Sequence, residues 1–250
     1  MKNNKVKFMI GGCFAGGTSF LSKSLVQNPK INIIKKEEGG EYNFFIYNRY
    51  YLQKGLGWYQ SKILEKKINI DHSSQLINSY LGMKRLYKYN KDIKIILILR
   101  DRIQRSWAHY RYSLLNGIEE YTFLKALKFE KIRYNLLKGH FKVIKPFSYI
   151  DRSNYLKYLI YLFKYFPRKN VLILSSESLR KNPDENFKLI YNFLGIKYFQ
   201  HQPVSNFSSQ YVINRKKHIE LKKYFGEKFN YIIEKIRAED ISSIQDKSVD

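Results

Sequence analysis

The segment Gly12-Cys13-Phe14-Ala15-Gly16-Gly17-Thr18-Ser19 decides the fold class, because its glycines and hydroxyl residues have the spacing of a phosphate-binding loop. In such loops, backbone N–H groups and the N-terminus of the next helix hold a phosphate. A short apolar run, Lys5 to Ile10, precedes the segment, and Thr18 to Gln27 follows it with leucines at helical spacing. This order of strand, loop and helix favours an anion site over a glycine-rich turn without a ligand.

Thr18 stands where a P-loop nucleoside triphosphatase has the lysine that reaches the β- and γ-phosphates. The missing lysine argues against hydrolysis of ATP or GTP. A P-loop small-molecule kinase stays an alternative, and it requires magnesium-dependent ATP binding and a metal-holding aspartate that the sequence does not reveal.

Two later segments repeat the order of strand and helix. Ile93 to Leu99 is an almost continuous apolar run, as expected for a strand buried on both faces of a parallel sheet, and Arg105 to Leu115 has helical character. Val171 to Ser175 predicts a third strand. The helix after it should begin at Pro183 and end at Gly195.

Further helices are predicted at Thr122 to Leu137, Tyr155 to Phe166 and Lys216 to Arg237. Alternating strands and helices predict an α/β fold, a P-loop-type three-layer sandwich with a central parallel sheet flanked by helices. Its ligand site should lie at the carboxyl ends of the strands. We expect residues 1–238 to form a single domain and residues 239–250 to form a polar C-terminal tail.

The formal net charge of +25 permits a nucleic-acid-binding module, which predicts steeply salt-dependent binding to any duplex. The lysines are, however, spread over the whole length, so we interpret most of them as a solvated surface and expect no nucleic-acid partner. The charge does predict an electropositive cleft that suits an anionic nucleotide and an anionic acceptor such as a polysaccharide.

Cys13 is the only cysteine, which excludes an intrachain disulfide and a cysteine-based zinc site. No run reaches the roughly 18 uncharged apolar residues of a membrane span. The basic N-terminus leads directly into the first predicted strand without a signal segment. We therefore expect a cytoplasmic protein.

The glycine-rich segment resembles the first motif of the sulfotransferases that use PAPS (3′-phosphoadenosine 5′-phosphosulfate), through Gly17-Thr18-Ser19 and Leu21. The similarity is greatest to the branch of heparan sulfate N- and O-sulfotransferases and their bacterial relatives. It implies the sulfotransferase fold and a loop that holds the 5′-phosphosulfate through Phe14, Ala15, Gly16, Gly17, Thr18 and Ser19. Ala15 replaces the Lys or Arg that in this family stabilises charge on the bridging oxygen, so the loop lacks a large electrostatic contribution.

A second motif begins at Arg100, directly after the predicted strand that ends at Leu99. A buried arginine is costly unless it meets an anion, although surface ion pairing of Arg100 and Arg105 is an alternative. The run resembles the family segment in which the first arginine binds the 3′-phosphate. Arg102 replaces a proline there, and Ala108 replaces a serine that adds a hydroxyl to the 3′-phosphate. We expect Ala108 to weaken donor binding by about 1.5–3 kcal/mol unless His109 or Arg105 compensates.

The acceptor side resembles the heparan-type enzymes in two stretches, Glu41-Tyr42-Asn43-Phe44-Phe45 and Gly55-Leu56-Gly57-Trp58-Tyr59. By this resemblance Glu41 is the general base that takes a proton from the acceptor hydroxyl or amine. Glu37 and Glu38 are rivals that lack the aromatic pair at the right offset.

Ile70-Asp71-His72-Ser73-Ser74 resembles the family's Glu-Lys-Ser/Thr-Pro segment, and His72 takes the lysine position. A protonated His72 is a hypothesis for part of the charge that Ala15 lacks, while an exposed loop histidine is the alternative. Asn206 and the cluster Arg215-Lys216-Lys217 are further donor-site candidates, or a solvated face.

The resemblance implies in-line transfer of a sulfuryl group from PAPS to a hydroxyl or amine of an acceptor, with release of adenosine 3′,5′-bisphosphate and without a metal ion. We expect the acceptor to be a carbohydrate. The alternative is a sulfotransferase-fold protein that binds nucleotide or glycan without transfer. Ala15 and Ala108 motivate that alternative.

Overall fold

The computed structural model describes residues 5–202, 204 and 213–225. Five strands form one sheet in the order β2-β3-β1-β4-β5, and every neighbouring pair is parallel. The strands are β1 (Phe8–Gly12), β2 (Ile31–Ile34), β3 (Ile68–His72), β4 (Lys94–Leu99) and β5 (Val171–Ser175). Because parallel neighbours cannot be joined by a tight hairpin, the chain crosses over the sheet between strands.

Helices occupy these crossovers and also follow the last strand, β5. They are α1 (Thr18–Leu25), α2 (Asn48–Tyr51), α3 (Gly55–Gln60), α4 (Tyr80–Tyr89), α5 (Arg102–Leu115), α6 (Phe123–Leu136), α7 (Gly139–Ile144), α8 (Tyr155–Phe163), α9 (Ser176–Lys181), α10 (Pro183–Leu194) and α11 (Arg215–Phe225). Among the described residues, no helix is both long and apolar enough to cross a membrane. The cytoplasmic location stays a prediction.

The sheet has a hydrophobic core on each face, as strand β4 shows. Its odd-numbered residues, Ile95, Leu97 and Leu99, pack with α4 and α8, whereas Ile96 and Ile98 pack with α1 and α10. Successive side chains of a strand point to opposite faces, so an uninterrupted apolar strand supplies both cores. The three-layer α/β sandwich predicted from the sequence is confirmed.

Several predicted elements appear at or near their expected bounds. Strand β5 covers Val171–Ser175, and α10 ends at Gly195, whose φ of 74° is the left-handed conformation that glycine adopts readily. Strands β2 and β3 were not predicted, because they are short and β3 ends in the polar pair Asp71 and His72. The end of the predicted last helix, after Phe225, and the predicted tail lie outside the described residues, so the domain boundary stays a prediction.

Three adjacent strands bring the predicted motifs to one edge of the sheet. Strand β1 lies between β3 and β4, and it pairs Ile10 with His72 and with Ile96. Since the carboxyl ends of parallel strands meet at the same edge, the loop after β1, the segment after β3 and Arg100 after β4 converge there.

The loop after β1 packs tightly on β4. The Cys13 N–H donates to the Ile98 carbonyl at 2.8 Å, and the Gly16 N–H donates to the Cys13 carbonyl at 2.9 Å. A Cβ atom on Gly16 would lie 2.6 Å from Cys13 Sγ and 2.7 Å from Ile98 O. Only glycine therefore fits at position 16 without moving the loop.

We predict that Gly16→Ala lowers the free energy of unfolding by about 1–3 kcal/mol, because the added methyl group overpacks a backbone contact. Denaturant unfolding measures the change. Gly57→Ala is the matched control, since a Cβ atom there has no neighbour within 4 Å and the position is helical. A Gly16→Ala protein as stable as the Gly57→Ala protein would contradict the close packing of the loop.

Candidate active site

The phosphate-type loop lies at the N-terminus of α1. Gly17 is the N-cap, with φ 109°, and it provides no side-chain hydrogen bond to the first turn. Thr18 is buried, Ser19 is exposed, and Phe14 and Ala15 are half-buried. The first N–H groups of a helix lack intrahelical acceptors and carry partial positive charge, so this arrangement favours an anion beside the loop.

Arg100 is buried beside the loop, where its Nη1 donates to the Ala15 carbonyl at 3.3 Å. The pKa of Arg100 is lowered, first by burial and then by the charge of Arg180, while Glu177 opposes the shift. Two neighbouring guanidinium groups repel one another unless an anion lies between them. Arg180, on α9, is a candidate that the sequence analysis missed, because its place beside Arg100 depends on how α9 follows β5.

Helix α11 is attached to the turn that follows Arg100. Asp101 Oδ1 accepts from the Gln104 N–H at 2.9 Å as the cap of α5, and it also lies 2.8 Å from His218 Nε2. This contact places α11, with the exposed Arg215 as its first residue, near the Arg100 turn. Asn206 lies outside the described residues.

The rest of the second motif lies on α5. Ala108 is buried, and Arg105 is fully buried with its Nε donating to Ser153 Oγ at 2.6 Å. Arg105 is therefore an interior residue and makes no surface ion pair. His109 is also buried, its ring centroid lies 5.0 Å from that of Phe14, and burial places its pKa well below the usual value. Compensation for Ala108 by His109 or Arg105 stays a prediction.

Glu41 is anchored by the segment after β3. Its Oε2 accepts from the Ser74 N–H and from Ser74 Oγ, both at 2.8 Å, and its Oε1 lies 3.2 Å from His72 Nε2. The side chain keeps 16% of its surface exposed. Glu37 and Glu38 are instead exposed on the turn that precedes it. The geometry favours Glu41 over both rivals as a base at the sheet edge.

An aromatic cluster holds the Glu41 segment in place. Phe44 is buried and stacks on Tyr59 of α3, with ring centroids 4.2 Å apart and an interplanar angle of 15°. Trp58 stacks on Tyr50 at 5.5 Å and meets Tyr42 edge-on at 5.0 Å. Packing of this kind limits the motion of the backbone that carries the carboxylate.

His72 is buried rather than exposed on a loop. Burial lowers the pKa of His72, and Lys35 acts in the same direction, although Glu41 raises it. Its Nε2 lies close to the Glu41 carboxylate but is not aligned for a hydrogen bond. These surroundings favour a neutral imidazole and oppose the protonated His72 considered from the sequence.

Comparison with known proteins identifies the family. The profile of the sulfotransferase domain matches residues 6–239. The chain belongs to the sulfotransferase domain family. The resemblance inferred from the sequence is thus confirmed, and the geometry described above is that of a sulfotransferase domain.

The relatives of this sulfotransferase include human heparan sulfate glucosamine 3-O-sulfotransferase 3B1, 27% identical over 192 residues that cover 76% of this chain and 46% of that protein. The mouse heparan sulfate glucosamine 3-O-sulfotransferase 5 is 28% identical over 193 residues, 76% of this chain and 53% of that protein. The chain thus spans about half the length of these relatives. A sulfotransferase from Alicyclobacillus acidocaldarius shares the fold, with a TM-score of 0.74, 19% identity and coverage of 97% and 96% of the two chains.

Beneath Glu41, the sulfotransferase carries a buried carboxyl group that sequence reasoning treated only as part of a motif. Asp71 accepts hydrogen bonds from the Tyr59 hydroxyl and from Ser73 Oγ. Burial raises the pKa of Asp71 to about 6, with a further contribution from the charge of Glu41, while the two hydrogen bonds lower it. The sequence signal for Asp71 was its position near the end of β3, a strand that the sequence analysis did not predict.

A second missed residue connects the two donor motifs. The Tyr155 hydroxyl donates to the Arg100 carbonyl at 3.0 Å and lies 3.4 Å from Cys13 Sγ. This tyrosine belongs to a stretch that the sequence analysis did not include in the site. Its contacts fix the end of β4 relative to the loop.

We predict that the stability of this sulfotransferase falls as the pH rises through the folded pKa of Asp71. The folded pKa, about 6, lies above the ordinary value of 3.8, so the protonated form is favoured by folding and its contribution is complete below pH 3.8. Asp71→Asn should flatten the pH profile of the unfolding free energy between these values. Urea unfolding at a series of pH values between 3.8 and about 6 measures the free energy of unfolding.

Asp92→Asn, at an exposed turn position, is the matched control and should keep the wild-type profile. If Asp71→Asn also keeps that profile, Asp71 is ionised at the same pH in the folded and unfolded states.

Proposed function

We propose that this chain transfers a sulfuryl group from PAPS to a hydroxyl or amine of a carbohydrate. The observation that carries the proposal is the convergence of a carboxylate, an anion-binding loop and a buried arginine at one sheet edge. Glu41 is held there by Ser74, and Arg100 donates to the loop at Ala15. Membership of the sulfotransferase domain family supports a group transfer at this edge.

The donor occupies the β1–β4 side of the edge in this proposal. The loop N–H groups, with Phe14 to Ser19, hold the 5′-phosphosulfate, and Arg100 binds the 3′-phosphate with help from Arg180. The lowered pKa of Arg100 supports an anion there, because a bound phosphate offsets both burial and repulsion. Arg215, on a helix attached to Asp101, contributes a further positive charge. Ala108 adds no hydrogen bond.

Glu41 acts as the general base. Two donors from Ser74 hold Oε2 and leave Oε1 for the acceptor proton. The acceptor oxygen or nitrogen attacks sulfur as its proton passes to Glu41. The bond between sulfur and the bridging oxygen breaks in line, and its electron pair remains on adenosine 3′,5′-bisphosphate. Ser74 orients the carboxylate in this scheme, and the absence of a metal requirement stays a prediction.

A carbohydrate acceptor is supported by the surroundings of Glu41 and by the names of the relatives, which act on heparan sulfate glucosamine. Aromatic rings and cations alternate beside the base: Lys62 Nζ lies 5.3 Å from the centroid of Trp58, and Arg49 Cζ lies 4.7 Å from that of Tyr50. Cations attract the anionic groups of a polysaccharide, so an anionic acceptor fits this surface.

A binding protein without transferase activity is the second candidate, and Ala15 favours it because the loop brings no cation to the leaving oxygen. A transfer assay with labelled PAPS and a panel of glycans decides between the two. Tight binding of adenosine 3′,5′-bisphosphate without any sulfated glycan supports the second candidate.

We predict that Glu41→Gln lowers kcat by about 10²–10⁴-fold in that assay, because the amide cannot accept the acceptor proton. Glu38→Gln, at an exposed position nearby, is the matched control and should retain wild-type kcat. Equal rates for the two variants would show that Glu41 is not the base.

We predict that Arg100→Ala weakens binding of adenosine 3′,5′-bisphosphate by about 10- to 100-fold, the value of one charge-assisted contact. Isothermal titration calorimetry measures the dissociation constant. Arg168→Ala is the control, because Arg168 is exposed in the turn that precedes β5, at the opposite end of the sheet. An unchanged affinity in Arg100→Ala would move the 3′-phosphate site elsewhere.

A further inference from the structure

Sulfuryl transfer leaves negative charge on the bridging oxygen, and a nearby cation stabilises that charge. The phosphate-type loop offers none, since residues 8–22 contain neither lysine nor arginine. If the chain catalyses transfer, another element must supply the charge. Arg100 is assigned to the 3′-phosphate, and a second buried arginine, Arg152, also lies beside the loop.

Arg152 lies between the loop and the base. It belongs to the turn Asp151–Ser153 that connects α7 with α8, and only 2% of its surface is exposed. Its Cζ lies 5.7 Å from the ring centroid of Phe14, the residue before Ala15. Its Nη2 donates to Gln75 Oε1 at 2.9 Å and to the Ile144 carbonyl.

The contact with Gln75 connects Arg152 to the acceptor side. Gln75 directly follows Ser74, which donates two hydrogen bonds to Glu41. Tyr47 is also hydrogen-bonded to Gln75, and both Arg152 and Glu41 influence the pKa of the Tyr47 hydroxyl. Arg152 is therefore connected to the acceptor side through Gln75 and contacts Phe14 of the loop.

The charge of Arg152 has no counterion in the described part of the chain, where no carboxylate lies within 4 Å of its guanidinium. The neighbouring Asp151 carboxylate instead binds Lys145, Lys157 and the Tyr158 hydroxyl. The Nε atom of Arg152 has no hydrogen-bond acceptor. A buried cation in this state gains stability when an anion arrives beside it.

Arg105 fixes the turn that carries Arg152. Its Nε donates to Ser153 Oγ at 2.6 Å, and its Nη2 donates to the Tyr149 carbonyl. Burial and the charge of Arg105 lower the pKa of Arg152 to about 10, which leaves Arg152 cationic at neutral pH. The two arginines together make this side of the loop strongly positive.

We propose that Arg152 is the cation that stabilises the phosphosulfate as it is cleaved, in place of a lysine on the loop. This inference rests on the proposed transfer from PAPS. The bond between the acceptor and sulfur forms as the bond between sulfur and the bridging oxygen breaks, and Glu41 holds the acceptor proton. Arg152 stabilises the electron pair that stays on the bridging oxygen and the charge on the sulfuryl oxygens.

We predict that Arg152→Gln lowers kcat by about 10²–10³-fold, as expected for the loss of one preorganised charge-stabilising donor. Its affinity for adenosine 3′,5′-bisphosphate should also fall by about tenfold or more, because the former bridging oxygen stays on this product with its negative charge. Arg152→Lys should retain part of kcat.

Arg85→Gln is the matched control, since Arg85 is also buried and has no carboxylate within 4 Å among the described residues. That variant should keep kcat.

A second variant separates a catalytic role from a structural one. Ala15→Lys restores a cation to the loop, so Arg152→Gln should cost less than about tenfold in the Ala15→Lys background. The same fold loss in both backgrounds overturns the inference, as does an unchanged kcat in Arg152→Gln. Either result leaves the proposed function intact, provided that wild type sulfates a glycan.

A wild type that binds PAPS but sulfates no glycan refutes the proposed function, and calorimetry still tests Arg152 in that case. A loss of affinity of at least tenfold for both PAPS and adenosine 3′,5′-bisphosphate in Arg152→Gln supports contact with the oxygen that bridges phosphorus and sulfur in PAPS and stays on the product. Equal affinities of both ligands for wild type and Arg152→Gln overturn it.

Discussion

The backbone hydrogen bond from the Cys13 N–H to the Ile98 carbonyl, 2.8 Å long, is the contact on which the site depends. It continues the pairing of β1 with β4 into the loop and so fixes the anion-binding turn against the strand that ends at Arg100. Tyr155 strengthens the same junction by donating to the Arg100 carbonyl. Because this contact leaves space only for a hydrogen at position 16, the shape of the loop is a consequence of strand pairing rather than of the ligand.

Charge is divided unequally across the sheet edge. The donor side and the turn at Arg152 carry buried guanidinium groups, whereas the acceptor side carries the Glu41 carboxylate above Asp71, whose pKa is raised to about 6. The raised pKa of Asp71 reduces the negative charge beneath Glu41 near pH 6. The positive and negative groups of the candidate site thus lie at neighbouring strand ends.

Local sequence patterns identified those candidate site residues that are held in place mainly by residues close to them along the chain. The loop follows its strand directly, Arg100 follows another, and Glu41 is flanked by the aromatic residues that hold it. Strand β3 was missed because its polar end, Asp71 and His72, lacks the apolar pattern of a buried strand. Asp71 and His72 are accommodated in the interior by hydrogen bonds and packing with residues that a short stretch of sequence does not include.

By itself, the sequence determined the α/β class and the family, and it gave the phosphate-type loop, Glu41 and Arg100 as the leading site candidates. Only the tertiary structure decided that His72 is buried, that Arg105 is interior, and that Arg152 lies beside Phe14. The physical reason is that spacing along a chain specifies helices, strands and turns. The electrostatic state of a side chain instead depends on groups brought to it from distant segments, as when Arg152 meets Gln75 and Arg105.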